Sequence, residues 1–257
     1  MLFDSHAHLN DESFDEDRDE LIESLPKNGV DLVVNPASDL ETSRTGIQLA
    51  DKYDFIYAAV GIHPQDVAET EEADIQEIKK MAQENKKVVA IGEIGLDYYY
   101  DDVPKDIQRK WLKRQILLAN ELSLPIIIHD RDAHKDTFDI IKENKSEEIG
   151  CVMHCFSGSV ELAKEYLKLG CYISIPGTVT FKNSRKVRAV AREIPLDKLL
   201  IETDSPYLTP EPYRGKRNNP AHVRYVAERV AEERGISFEE VCDASKANAK
   251  KLFRIEE

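Results

Sequence analysis

The sequence predicts an α/β protein built as a (β/α)8 TIM barrel, and three observations carry that prediction. Eight short apolar runs rich in Val, Ile and Tyr recur along the chain, longer amphipathic segments separate them, and no break in composition divides the 257 residues. Strands covered by helices on both faces read as continuous apolar runs, because neither face meets water. Alternation of that kind gives a parallel sheet, and a count of eight over this length points to closure into a barrel. A doubly wound open sheet is the alternative reading of the same alternation.

The apolar runs are MLFDSH at 1–6, DLVVN at 31–35, FIYAAVG at 55–61 and VVAIGE at 88–93. PIIIH at 125–129, CVMHC at 151–155, CYISI at 171–175 and KLLIET at 198–203 complete the set. Between them, residues 39–52 open with Ser38 and Asp39, whose short polar side chains suit a helix cap. Residues 71–85 place Ile75, Ile78 and Met81 at helical spacing. The segment 104–122 starts with Pro104, which costs no hydrogen bond in a first turn, and lines up Trp111, Leu112, Gln115, Ile116 and Ala119. Further helical segments fall at 131–144, 159–169, 182–193, 218–234 and 237–252. With no linker or low-complexity stretch, 1–257 reads as a single domain.

Composition narrows the function classes. A hydrophobic content of 41% with 33% charged residues fits a soluble globular chain with one sizeable core. No apolar run approaches the roughly 20 residues that span a bilayer, so a membrane role is not expected. MLFDSHAHLN has neither the basic nor the apolar region of a signal peptide, and a cytoplasmic location is expected. Cys151, Cys155, Cys171 and Cys242 form no CxxC pair and read as small apolar residues in a reducing compartment. The net charge of −14 argues against an extended groove for nucleic acid, whose affinity comes largely from phosphate neutralisation. A compact pocket in which metal ions supply the positive charge stays open.

The histidines give the sequence its chemistry. His6 and His8 end the first run, His63 follows the third, His129 ends the fifth and His154 lies at the end of the sixth. Glu93 ends the fourth run and Asp204 follows the eighth. In a parallel barrel every strand opens its C-terminal end on one face, so these residues are expected to meet at one mouth. His6 and His8, two apart, point the same way on an extended strand and can share one ion. Six candidate ligands exceed a four-ligand structural zinc site, and imidazole with carboxylate suits catalytic Zn, Mn or a related divalent ion. The count favours two ions per chain, with Glu93 able to give one oxygen to each, an arrangement that can clamp a phosphoryl group.

The motifs FDSHAHLN, VGIHP, AIGEIGLDY, HDRDA, HCFSG, ETDSPYLTP and RGKRNNP occur in this order, followed by NAKKLF at 248–253. As an ordered set they resemble the TatD-like metal-dependent deoxyribonucleases, a branch of the amidohydrolase-like barrel hydrolases. The resemblance covers essentially the full chain. It implies a metal-dependent hydrolase barrel with a two-metal site of Zn, Mn or Mg. His6, His8, Glu93 and Asp204 would hold one ion, Glu93 would bridge, and His129 and His154 would complete the second site. His63 would contact substrate. The implied activity is 3′→5′ exonucleolytic cleavage of DNA ends or short single strands. The alternative is an esterase or amidohydrolase of the same barrel, such as a D-aminoacyl-tRNA deacylase.

On this reading Asp204 and Glu93 are the catalytic carboxylates, with Asp204 holding the attacking water and accepting its proton. Arg131, two residues past His129, is placed to bind phosphate. Ser157, Gly158 and Ser159 open a helix whose free amides suit an anion. Two basic runs, Lys182, Arg185, Lys186 and Arg188, then Arg214, Lys216 and Arg217, are either backbone contacts or solvated faces. His134 and His222 read as structural, and Tyr98, Tyr99 and Tyr100 as rim packing or base-stacking rings.

Overall fold

The computed structural model describes residues 1–256. Eight parallel strands follow one another in chain order around one sheet: β1 (Leu2–Asp4), β2 (Val30–Asn35), β3 (Ile56–Val60), β4 (Val88–Asp97), β5 (Ile126–Arg131), β6 (Cys151–Met153), β7 (Tyr172–Ile175) and β8 (Leu199–Ile201). The helices are α1 (Arg18–Ser24), α2 (Leu40–Lys52), α3 (Glu72–Glu84), α4 (Lys105–Leu122), α5 (His134–Asn144), α6 (Val160–Lys168), α7 (Arg185–Glu193), α8 (Val223–Arg234) and α9 (Phe238–Phe253). The architecture is the (β/α)8 barrel, not the open sheet. Among the described residues no helix is long and apolar enough to cross a membrane.

The ring closes through the segments that leave β1 and β8. The Ser5 amide donates to Ile201 O at 3.2 Å, Asp204 to His6 O at 2.9 Å, and His8 to Ser205 O at 2.8 Å. Buried polar side chains lock this seam. Asp4 accepts from the Thr203 amide at 2.9 Å and from the Thr203 hydroxyl at 2.5 Å. Ser5 Oγ donates to Ile201 O at 3.0 Å. The closure that completes the barrel therefore sets His6 and His8 beside Asp204.

One apolar cluster takes side chains from all eight strands, among them Phe3, Val34, Ala59, Ile127, Val152 and Leu200, and is completed by Leu252 and Phe253 of α9. A larger cluster packs the helices around the sheet. Capping follows the polar residues in the sequence: Asp39 accepts from the Thr42 amide at 2.7 Å to start α2, and Ser237 from the Glu240 amide at 3.1 Å to start α9. Two buried glutamines of α4, seven residues apart on one face, hold the loops above them. Gln115 Oε1 accepts from the Ile62 amide at 2.8 Å, and Gln108 Oε1 accepts from the Asp97 amide at 2.8 Å.

Where elements differ from the sequence reading, a local cause is visible. The helix α1 escapes prediction because Ile22 is the one residue it buries. The first strand stops at Asp4, so His6 and His8 lie in the seam beyond it. The fourth strand runs on to Asp97, which puts Glu93 mid-strand and not at a strand end. It continues because Gly92 and Gly95 admit β5: a Cβ on Gly95 would lie 2.0 Å from the His129 carbonyl oxygen, and one on Gly92 2.6 Å from Ile127 Cβ. The fifth strand keeps Arg131, so α5 starts at His134 and not at 131. Likewise α7 starts at Arg185 and not at 182.

The close approach at Gly95 yields a direct expectation. Gly95→Ala forces β4 away from β5 and destabilises the fold by about 3 kcal/mol or more, the upper range for overpacking. Urea unfolding of the two proteins measures it, and a difference near zero would refute the role given to this glycine.

Candidate metal centre

Each donor reaches the mouth by its own route along the chain. His6 Nε2 stands 3.1 Å from His8 Nε2. Glu93 Oε2 lies 3.2 Å from His6 Nε2 and 3.5 Å from His8 Nε2. Asp204 Oδ1 lies 3.7 Å and 3.6 Å from the same two nitrogens. Donors about 2.1 Å from a shared tetrahedral ion stand roughly 3.4 Å apart, from the usual zinc–nitrogen distance. All five separations bracket that value: His6, His8 and Glu93 stand close enough to one another to share an ion, and Asp204 lies within reach of both histidines.

The other oxygen of Glu93 faces a second group. Oε1 lies 2.8 Å from His129 Nδ1, 3.1 Å from His154 Nε2 and 3.6 Å from His63 Nε2. Behind two of these imidazoles stand carboxylates that the sequence reading missed. Asp97 Oδ2 lies 3.2 Å from His129 Nε2. Glu202 Oε1 lies 3.2 Å from His154 Nδ1 and accepts the Cys155 amide at 2.6 Å. Each carboxylate raises the pKa of the imidazole in front of it and stands where carboxylates behind metal-binding histidines stand. The available signal was an acidic residue inside or beside an apolar run: GLD for Asp97, and KLLIET for Glu202.

His63 differs from its neighbours. Its Nδ1 accepts the Gln65 amide at 3.2 Å, and burial pushes its pKa down to about 3, helped by His129. That hydrogen bond puts the proton of the neutral ring on Nε2, the atom facing the site. With Glu93 and His129, His63 also forms a group whose donor atoms lie close enough to share an ion.

The charges are balanced within the cluster. Burial and the charge of His154 hold His6 below its usual range. Burial pulls His8 the same way, but Asp204 and Glu93 outweigh it and raise the group to about 9. At His129 burial is outweighed by Asp97 and Glu93, which raise it to about 8. Glu93 is fully buried, yet His154 and His6 hold it well below the carboxylate range. Burial pushes Asp204 up, and its hydrogen bond to His8 with the charges of His154 and His6 turns the net shift downward. Two anionic carboxylates packed among imidazoles demand positive charge, the environment that divalent ions share with protons.

Above the donors lies a cavity of about 640 Å³, with His8, Glu93, His129 and Asp204 in its floor and Tyr100 and Arg131 in its wall. Ser157 also lines it. Ser159 instead caps α6 by accepting from the Leu162 amide at 3.2 Å. A Cβ on Gly158 would meet the Phe156 ring at 2.6 Å. Neither basic run reaches this lining. Arg188 spends its guanidinium on the carbonyls of Val179 at 3.1 Å and Phe181 at 2.6 Å, and Arg217 on Ser13 O at 2.6 Å and on Asp17. His134 pairs with Asp130 at 2.9 Å, while His222 stacks on Tyr213 with ring centres 4.8 Å apart. The thiols of Cys151, Cys171 and Cys242 are buried and free, whereas half-buried Cys155 lines the cavity.

The family model described as TatD related DNase matches residues 3–254. A Bacillus subtilis protein described as the uncharacterized metal-dependent hydrolase YabD is 51% identical over 99% of this chain and 100% of its own length. The Escherichia coli protein YcfH, described in the same words, is 40% identical over 100% of this chain and 97% of its own. The crystal structure of YJJV, a TatD homologue of Escherichia coli, superposes with a TM-score of 0.94 at 31% identity, covering 99% of this chain and 98% of its own.

Glu202 offers a test of the donor set that needs no substrate. Replacing Glu202 by Ala frees the His154 ring and weakens divalent-metal binding by about 10–100-fold, the usual effect of losing such a partner. Titration calorimetry with Zn or Mn reads the affinity, and circular dichroism checks the fold. Unchanged binding in a folded variant would refute the positioning role.

Proposed function

The chain belongs to the TatD-related DNase family, and from that premise we propose that it is a divalent-metal hydrolase cleaving phosphodiester bonds at DNA ends, 3′→5′. The observation that carries the reading is Glu93, whose Oε2 faces His6 and His8 while Oε1 faces His129 and His154. A carboxylate divided in this way is suited to two ions, one held by His6, His8, Glu93 and Asp204, the other by Glu93, His129 and His154. The chemistry supplied by divalent ions in such a donor set is Lewis acidity, which acidifies water and offsets charge on phosphoryl oxygens.

The chain's own groups do the rest. Asp204 sits at the seam with φ of 55°, a conformation that Asp tolerates better than most residues. Its amide is tied to His6 O at 2.9 Å, which aims the carboxylate at the two histidines. Asp204 orients the attacking water and takes its proton. The Nε2 proton of His63 is a hydrogen-bond donor for a substrate oxygen. Arg131, exposed in the cavity wall, holds a phosphate oxygen next to the scissile bond.

The esterase or amidohydrolase alternative uses the same donors on a carbonyl. Small-molecule amidohydrolases of this barrel type commonly carry a carbamylated lysine as the bridge, and here β4 provides Glu93. That difference favours the phosphodiester reading.

One panel decides between them. Metal-reconstituted protein is given end-labelled single- and double-stranded DNA, RNA, an aminoacyl-tRNA and a simple phosphodiester. DNA is shortened from its 3′ end, and chelation abolishes the activity until metal is restored. Asp204→Asn reduces turnover at least about 100-fold, the lower end for losing a general base, with the far-ultraviolet spectrum unchanged. Ester cleavage without phosphodiester cleavage would overturn the reading.

A further inference from the structure

Among the described residues the exposed large apolar side chains are Met1, Tyr99, Tyr100, Leu117 and Tyr207. Three of these five stand at the mouth, which calls for a reason beyond ordinary surface composition. Tyr99 and Tyr100 leave β4 and Tyr207 follows β8. In a ring of eight strands in chain order these two strands lie half a turn apart. The rings therefore face each other across the metal centre, and Tyr100 and Tyr207 line the same cavity as Glu93, His129 and Asp204.

The β4 side is an ordered stack. The Tyr99 and Tyr100 rings meet edge to face with centres 4.9 Å apart. The Arg131 guanidinium lies 3.8 Å from the Tyr99 ring centre and 5.2 Å from that of Tyr100. Arg131 has no carboxylate partner among the described residues, so its face rests on tyrosine and its N–H edge stays free. Tyr98 is different, since its hydroxyl donates to Asp136 at 2.7 Å and its ring is half-buried. Across the cavity, Tyr207 is held by its hydroxyl, which donates to Asp11 at 2.9 Å.

Charge bears on the same point. The chain carries −14, Arg188 and Arg217 are engaged with backbone carbonyls and Asp17, and no residue of the two basic runs lines the cavity. Among the described residues Arg131 is the one arginine or lysine in the cavity lining. Flat rings offer another source of affinity, because every nucleobase has a π-face and stacking does not depend on base identity.

Resting on the phosphodiesterase reading, we propose that Tyr99, Tyr100 and Arg131 form a nucleobase-stacking subsite, with Tyr207 stacking a second base across the metal centre. The enzyme then engages unpaired nucleotides on both sides of the scissile phosphate, with little regard to which base each carries.

The test compares a short single-stranded oligodeoxynucleotide with the same chain lacking bases at its two 3′-terminal sugars. Binding is read by fluorescence anisotropy with metal-loaded protein in an Asp204→Asn background. The chain with bases binds about tenfold tighter or more, within the range of base–aromatic stacking. Tyr99→Leu/Tyr100→Leu removes most of that preference, and circular dichroism reports an intact fold. The slope of log affinity against log salt is no steeper than about −2, the value for two or three phosphate contacts. Equal binding of both chains by the parent protein, or a preference that survives in the double variant, would overturn the subsite. Cleavage is followed in parallel with Asp204 intact. Stacking-dependent binding with neither chain cut would refute the phosphodiesterase reading and leave the subsite standing.

Discussion

A carboxylate buried at the centre of a barrel mouth is the constraint around which this molecule is arranged. Glu93 is 3% exposed, and an isolated charge so placed costs several kcal/mol in lost hydration. Imidazoles following β1, β3 and β6 and within β5 offset that cost, and each needs its own backbone device. The seam between β1 and β8 brings in His6 and His8. Gly95 lets β5 approach closely enough to deliver His129, and Gln115 holds Ile62, next to His63. Packing, turn chemistry and hydrogen bonding converge on one oxygen pair.

Much of this was legible in the sequence, and the reason is periodicity. All eight strands announce themselves as apolar runs, and a parallel barrel turns residues that end such runs into neighbours. Ligand-type residues scattered from His6 to Asp204 could thus be gathered without coordinates. What stayed hidden depends on contacts that no local pattern encodes. The length of β4 follows from glycines matched to the backbone of β5. Asp97 and Glu202 matter for the imidazoles they stand behind, and a buried acid beside a histidine-bearing strand has no period to betray it. The sequence left the basic runs open between backbone contacts and solvated faces, and the carbonyl partners of Arg188 and Arg217 could be seen only in the structure.

An acidic protein proposed to act on a polyanion poses an electrostatic question. Long-range attraction is weak at a net charge of −14, and screening at physiological salt confines what remains to about 8 Å. Divalent ions held by the donors would concentrate positive charge at the centre, with Arg131 at its edge. Recognition of this kind is local. On the proposed reading it would discriminate by what fits the cavity, and it would not favour wrapping by long duplexes.

The seam has a further consequence, in time and not in space. Asp4 and Thr203, which lock it, lie 199 positions apart in the chain. A growing polypeptide emerges from the ribosome N-terminal end first, so β1 and its two histidines must wait for nearly the whole chain before they find their partners. The apolar plug from α9 arrives later still. Contacts of such sequence separation are slow to form and leave strand edges unpaired meanwhile. The donors that the seam gathers, His6, His8 and Asp204, therefore come together only once both ends of the barrel have been made.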